Sequence, residues 1–257
     1  MSNWKNRFPK ENIYFETSNG ILYCGNSLEI VKEFPNECIN LILTDPPYQI
    51  SKPHNFHTLK DRKNKRRGTY FGEWDVFDVL KWKLFLRLVE ENGSIVSFMS
   101  FEQYGKFAQV LNEEGFIIKD RLIWEKTNPF PRNRDRRYIP NIELIVWATR
   151  KQAKWTFNRQ NSKYECCVLR FPSESGARFK RYHPTQKPIA LIKYLLKIHS
   201  NPNDKILDPF IGVGTTAIAC ERLNRRWIGI EINPKYCEIA KQRIVEFLKQ
   251  PKRKTLL

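Results

Sequence analysis

Acidic residues are scarce in this 257-residue chain: 27 Asp and Glu stand against 45 Lys and Arg, for a formal net charge of +18. Such an excess repels itself unless a polyanion or an acidic surface screens it, so nucleic acid leads the partner classes. A merely well-solvated basic protein is the plainer alternative. No apolar run reaches the ~18 residues of a membrane span, and Met1-Ser2-Asn3-Trp4-Lys5 lacks the apolar core of a signal peptide. A soluble, cytoplasmic protein with no membrane partner is therefore expected. The six cysteines (24, 38, 166, 167, 220 and 237) form no C-x2-C pair, and Cys166 and Cys167 are adjacent. That spacing argues against a zinc module and against a disulfide framework. Cys24, Cys38 and Cys220 sit in apolar surroundings and read as buried thiols. His54 and His57 have metal-ligand spacing but no second ligand pair beside them, so no metal is expected. There is no internal repeat.

Hydrophobic residues make up 41% and aromatics 13%, enough for one large core and short of two independent domains. One domain over 1–257 is the expectation. Apolar runs at Ile21–Cys24, Ile39–Thr44, Ser94–Met99, Phe116–Trp124, Ile142–Ala148, Lys205–Leu207 and Trp227–Glu231 read as seven strands. The near-continuous runs suit strands buried on both faces. Helical periods lie at Ser27–Phe34, Val79–Val89, Phe101–Leu111, Ile189–His199, Thr215–Leu223 and Pro234–Leu248, the third behind a Ser100–Gln103 capping-box pattern and the last behind an Asn233 cap. Alternating strands and helices predict a doubly wound, mostly parallel α/β sheet with helices on both faces. Two basic stretches break the rhythm, Ser51–Gly72 and Arg150–Tyr182, and both are long for plain connections.

Two motifs carry chemistry. Lys205-Ile206-Leu207-Asp208-Pro209-Phe210-Ile211-Gly212-Val213-Gly214-Thr215-Thr216-Ala217 reads as a strand, a glycine-rich turn and a helix start. Gly212 and Gly214 allow backbone to approach a ligand closely, and Glu231 ends the next strand, where a carboxylate can accept from ribose hydroxyls. The turn formally satisfies the dinucleotide fingerprint, so a nicotinamide- or flavin-dependent oxidoreductase stays open at this point. The second motif, Asp45-Pro46-Pro47-Tyr48, follows directly on the strand Ile39–Thr44. Two prolines stiffen that turn and have no N–H to pair, which leaves carbonyl acceptors beside a carboxylate and an aromatic ring. A base amine has two hydrogens to orient and a ring to stack, and this loop offers both.

Taken together, Asp45-Pro46-Pro47-Tyr48, His183-Pro184-Thr185-Gln186-Lys187-Pro188 and Asp208-Pro209-Phe210-x-Gly212-x-Gly214-Thr215, in that order, resemble the permuted β group of DNA amino-methyltransferases over about residues 20–245. The resemblance implies a Rossmann-like class I fold with a circularly permuted seven-stranded sheet, S-adenosyl-L-methionine as cofactor and double-stranded DNA as partner. It implies catalytic roles for Asp45, Pro46, Pro47 and Tyr48. It also implies cofactor contacts at Asp208, Phe210, Gly212, Gly214 and Thr215, with the two glycines at the methionine end. Glu231 would hold the ribose, Thr185 and Lys187 would lie in the segment that closes over the cofactor, and Asn26 falls near the adenine contact, where the family often has Asp. Target recognition is expected at about 150–182, with Arg159, Lys163, Arg170 and Arg178 as candidates.

The chemistry of the implied reaction needs no metal. Hydrogen bonds from the amine to Asp45 and the Pro46 carbonyl would favour a tetrahedral nitrogen and free its lone pair, leaving positioning and electrostatics as the main demands. The base must leave the duplex to be reached, and Tyr48 would stack on it. Lys60, Arg62, Lys63, Lys65, Arg66 and Arg67 leave from the end of this loop, and Arg132, Arg136 and Arg137 form a second basic run; both are expected to hold phosphates. Asp-Pro-Pro-Tyr resembles the adenine-N6 members more than the cytosine-N4 ones, and the size resembles type II restriction–modification enzymes. A cognate endonuclease without a stable complex, and a monomer or homodimer, fit that picture. Cytosine-N4 chemistry and an RNA substrate remain alternatives within the class, and a non-catalytic DNA-binding protein remains one outside it.

Overall fold

The computed structural model describes residues 3–47, 77–129, 138–174 and 186–250. Among them run nine strands of one sheet: β1 (Ile13–Glu16), β2 (Gly20–Cys24), β3 (Ile39–Thr44), β4 (Val89–Met99), β5 (Phe116–Lys126), β6 (Ile142–Arg150), β7 (Val168–Phe171), β8 (Lys205–Asp208) and β9 (Arg226–Glu231). Their order across the sheet is β1-β2-β9-β8-β3-β4-β6-β5-β7. Pairing is parallel except where β1 meets β2 and where β6 meets β4 and β5. The helices are α1 (Ser27–Ile30), α2 (Lys83–Leu86), α3 (Tyr104–Glu113), α4 (Ile189–His199), α5 (Thr215–Arg222) and α6 (Pro234–Lys249).

Strand alternation divides the core into two layers. Ile21 and Tyr23 of β2, Ile42 of β3 and Val146 of β6 face α1–α3, where Ile30, Phe85, Phe107 and Leu111 meet them. Leu22, Leu41, Leu43, Ile145 and Trp147 face the other way, against Leu191 and Leu195 of α4, Ala217 of α5, and Ala240 and Ile244 of α6. A strand with an apolar partner on each face has no solvent side, hence the unbroken apolar runs in the sequence. The expected α/β fold with helices on both faces is the observed one.

The sheet is wider than the seven strands expected. β1 alternates half-buried and exposed residues and pairs at the edge, so it carries no continuous apolar run to betray it. β7 buries only Leu169 of its four residues, and its pairing with β5 comes from backbone bonds such as Ile123 N to Cys167 O, 2.8 Å. That strand lies inside the stretch 150–182, which sequence alone reads as irregular. Two expected helices are shortened. Ser27–Phe34 becomes α1 followed by a 3-10 turn at Val31–Glu33, and Val79–Val89 becomes a 3-10 turn, α2 and then the start of β4. α3 begins three residues later than expected, although Ser100 Oγ does accept from Gln103 N at 3.2 Å. Asn233 caps α6 as read, its side chain accepting from Lys235 N at 3.0 Å. Cys38, Cys220 and also Cys237 are buried, whereas Cys24 is only half-buried.

The chain winds outward from β3 to β4 in one direction and from β8 to β9 in the other, so the strand order reverses between β3 and β8. In open α/β sheets ligands bind at the carboxyl ends of the strands beside such a reversal. Asp45 follows β3 and Asp208 ends β8 at this point. No helix among the described residues is long and apolar enough to cross a membrane.

Candidate active site

The two central strands are joined at their carboxyl ends by side chains. Thr44 Oγ1 donates to Asp208 Oδ1 at 2.7 Å, Thr216 Oγ1 donates to Asp208 Oδ2 at 2.6 Å, and the Phe210 N–H reaches Oδ1 at 3.2 Å. Asp208 is 5% exposed. Burial pushes its carboxyl up to about 6; the bonds from Thr216, Thr44 and Phe210 oppose the rise and the nearby Asp45 charge adds to it. Asp45 itself is partly exposed, with Pro46 buried beneath the turn and Pro47 half-buried.

On the far side of Asp45 lies a row of alternating charges. Lys187 Nζ is 2.5 Å from Asp45 Oδ2 and 3.1 Å from Glu143 Oε2, and Lys126 Nζ is 2.7 Å from Glu143 Oε1. Lys187 is 7% exposed and its ammonium stands 4.9 Å from the centre of the Phe98 ring. Burial works against the Lys187 charge, but the Asp45 and Glu143 carboxylates outweigh it and hold the ammonium above the ordinary lysine range. Burial likewise opposes the Glu143 charge, and Lys187 and Lys126 overcome it, so that carboxyl sits below its usual range. Glu143 and Lys126 belong to no motif read from the sequence. Their one signal is a carboxylate near the head of the otherwise apolar run Ile142–Ala148 of β6.

The glycine-rich turn occupies the opposite side, between β8 and α5. Gly212 (φ 54°) and Gly214 (φ 82°) both adopt left-handed backbone. A Cβ on Gly214 would lie 3.1 Å from the Ala240 Cβ of α6, whereas one on Gly212 would meet nothing within 4 Å among the described residues, which leaves the Gly212 backbone uncovered by them. Arg243 is buried beneath this turn and its guanidinium donates to the Val213 carbonyl, a support that sequence reading missed because it looks like an ordinary helix cation. Glu231, ending β9, accepts from Asn233 N at 2.8 Å. Burial lifts its carboxyl to about 7, against lowering bonds from the Asn233 and Gly212 N–H groups. Gly25 N donates to Glu231 O at 2.9 Å, which brings the Asn26 turn beside it; Asn26 caps α1 by accepting from Leu28 N at 2.9 Å.

An adenosine-bearing cofactor fits this cradle: a side-chain-free backbone left uncovered by the described residues, with a carboxylate at the next strand end. Thr215 opens α5 and is buried, while Phe210 sets its ring edge-on to Phe77 at 5.0 Å and so packs into the α2-side core. The fold thus gathers Asp45, Pro46, Pro47, Asp208, Gly212, Gly214, Thr215, Glu231, Asn26 and Lys187 along one edge of the sheet. Tyr48, Thr185, Arg178, His54, His57, Lys60, Arg62, Lys63, Lys65, Arg66, Arg67, Arg132, Arg136 and Arg137 lie outside the described residues. Among the described candidates for target recognition, Arg159 follows Asn158, whose Nδ2 donates to the Lys197 and Ser200 carbonyls at the carboxyl end of α4. Eleven helical residues, about 16 Å, separate that end from Lys187. Arg159 NH1 in turn bonds the Lys163 carbonyl, so both stand away from Asp45. Arg170 is largely exposed on β7 and pairs with Glu125 at 2.9 Å.

Comparison with known proteins agrees with this geometry. Residues 39–242 match the DNA methylase family of N6 and N4 methyltransferases. The chain is 33% identical over 266 residues to the type II methyltransferase M.HinfI of Haemophilus influenzae, covering 94% of this chain and 72% of that one. It is 38% identical to M1.HpyAVI, solved as a complex with SAM, with a TM-score of 0.67 over 88% of this chain and 98% of that one. The PvuII DNA methyltransferase, cytosine-N4-specific, shares the fold at 21% identity, with a TM-score of 0.70 over 93% of this chain and 94% of that one. These matches set aside the oxidoreductase and the non-catalytic DNA-binding protein. With the two motifs at either side of one strand reversal, and a family match that spans both, the chain belongs to the DNA methylase family.

Proposed function

We propose that this DNA methyltransferase transfers the methyl group of S-adenosyl-L-methionine to the N6 amine of adenine in double-stranded DNA, as the modification enzyme of a restriction system. The observation that supports the reading is Asp45-Pro46-Pro47 at the strand reversal, with Tyr48 next in the sequence and the glycine turn one strand away. Asp45 and the Pro46 carbonyl accept the two amine hydrogens and favour a tetrahedral nitrogen, which takes its lone pair out of conjugation with the ring and leaves it free to attack. Tyr48 stacks on the base, which is flipped from the duplex because its amine is otherwise out of reach. Gly212 and Gly214 line the methionine end of the cofactor, with Asp208, Phe210 and Thr215 along the same turn; Glu231 accepts from the ribose, and Asn26 borders the adenine. The sulfonium supplies an already activated methyl group, so the residues' task is alignment and charge placement. The basic runs 60–67 and 132–137 hold phosphates, which gives affinity without sequence choice.

Incubating the protein with S-adenosyl-L-methionine and duplex DNA, then resolving the nucleosides by mass spectrometry, tests this directly. N6-methyl-deoxyadenosine is the expected product. N4-methyl-deoxycytidine would refute the adenine assignment and leave the cytosine-N4 alternative. Asp45→Ala should lower turnover by about a hundredfold or more while cofactor binding survives.

A further inference from the structure

We infer that Lys187 is a positioning residue for Asp45, anchored by Glu143, and that it makes no part of the cofactor site; the inference rests on the methyl-transfer reading above. Its place in the sheet order is the first argument. The glycine turn and Glu231 belong to β8 and β9, on one side of Asp45. Lys187 reaches the other way, crossing the face of Phe98 on β4 to Glu143 on β6. Strands lie about 4.8 Å apart, so this reach spans roughly two strand spacings away from the cradle.

Charge gives the second argument. A buried ammonium is tolerated only when it is paired and hydrogen-bonded, and here two carboxylates meet it. Glu143 is itself fixed by Lys126, so the row Asp45–Lys187–Glu143–Lys126 alternates in sign and each inner member is held from both sides. Charge-assisted bonds of this kind orient as well as attract. The Asp45 carboxylate is therefore held in one orientation at Oδ2. Asp208, the other carboxylate at the strand reversal, and Asp45 repel each other, and the Lys187 cation bound to Asp45 acts against that repulsion. Among the described residues, the charged groups acting on Asp45 include Lys187, which pairs with it directly, and Asp208; Glu143 and Lys126 stand behind Lys187.

Steady-state methylation of duplex DNA across pH, beside equilibrium binding of labelled S-adenosyl-L-methionine, separates the two roles for Lys187. For Lys187→Met the expected result is a kcat lower by about a hundredfold, cofactor affinity within about twofold of wild type, and an acidic limb of the kcat profile moved up by about one to three pH units. Lys187→Arg should restore most of the turnover and return the limb. Glu143→Gln should lower kcat without moving the limb upward, because it loosens the anchor and leaves the cation. Lys187→Gln keeps a hydrogen bond and drops the charge, and should show the same upward limb if the methionine variant does not fold. Weakened cofactor binding with kcat intact at saturation would overturn the inference, as would an unmoved limb in an active enzyme. Wild-type protein that methylates no DNA at any pH would sink the underlying reading and this inference with it.

Discussion

Cofactor affinity should depend on pH through Glu231. Burial lifts this carboxyl from 4.5 to about 7, with Asp208 on the neighbouring strand adding to the rise. In the proposed function ribose hydroxyls donate to the ionised form, so binding would first remove the proton wherever the site is protonated. With a pKa of about 7, roughly a tenth of the sites are ionised at pH 6 and about nine-tenths at pH 8. The apparent Kd for S-adenosyl-L-methionine should therefore rise about tenfold from pH 8 to pH 6, or about 1.4 kcal/mol. Titration calorimetry at pH 6, 7 and 8 reads this, and near pH 7 the complex should release about half a proton. Glu231→Gln serves as the baseline, since it removes the titrating group while any titration of the ligand remains. The stability of the unliganded protein should run the other way. A raised carboxyl favours the folded state most below its unfolded pKa, and that contribution, up to about 3 kcal/mol, fades as pH rises through 7. A Kd that is flat from pH 6 to 8, or equally steep in Glu231→Gln, would refute the reasoning.

Three further outcomes are expected. Gly214→Ala forces a left-handed residue with its Cβ 3.1 Å from Ala240, and should cost about 1–2 kcal/mol in urea unfolding; an unchanged midpoint would argue that the turn relaxes freely. Tyr48→Ala should slow methylation more than Tyr48→Phe does, because stacking needs the ring and not the hydroxyl; equal losses in single-turnover assays would count against stacking. DNA affinity should fall steeply with salt, log K dropping by about 0.9 per phosphate contact for each tenfold rise, and fluorescence anisotropy showing a flat response would argue against a phosphate-holding channel.

Local order was legible in the residues. β3 and β6 announce themselves because strands covered on both faces must be apolar along their length, and α4 and α6 because Pro188 and Asn233 mark their starts. The two loops of the proposed chemistry were legible for the same reason: a Pro-Pro turn and a Gly-x-Gly turn are local conformations, fixed by neighbours in the chain. β1 and β7 were not legible, since edge strands draw their stability from backbone pairing with distant partners and need no apolar run. Arg243 under the glycine turn was hidden likewise, as one cation among many on a helix.

By itself, then, the sequence determined the fold class, the Pro-Pro and Gly-x-Gly turns on which the proposed chemistry rests, and the basic character that suits a polyanionic substrate. Only the tertiary structure decided which side chains work together. Thr44 and Asp208 are 164 residues apart and share a hydrogen bond, and Asp45 and Lys187 are 142 apart and share an ion pair. Such contacts arise because sheet order follows crossovers and not chain order, and a buried charge takes whatever partner the crossovers bring to it. That is why Lys187, which the family resemblance places with the cofactor, pairs with Asp45 and reaches Glu143 on the β4–β6 side of the strand reversal.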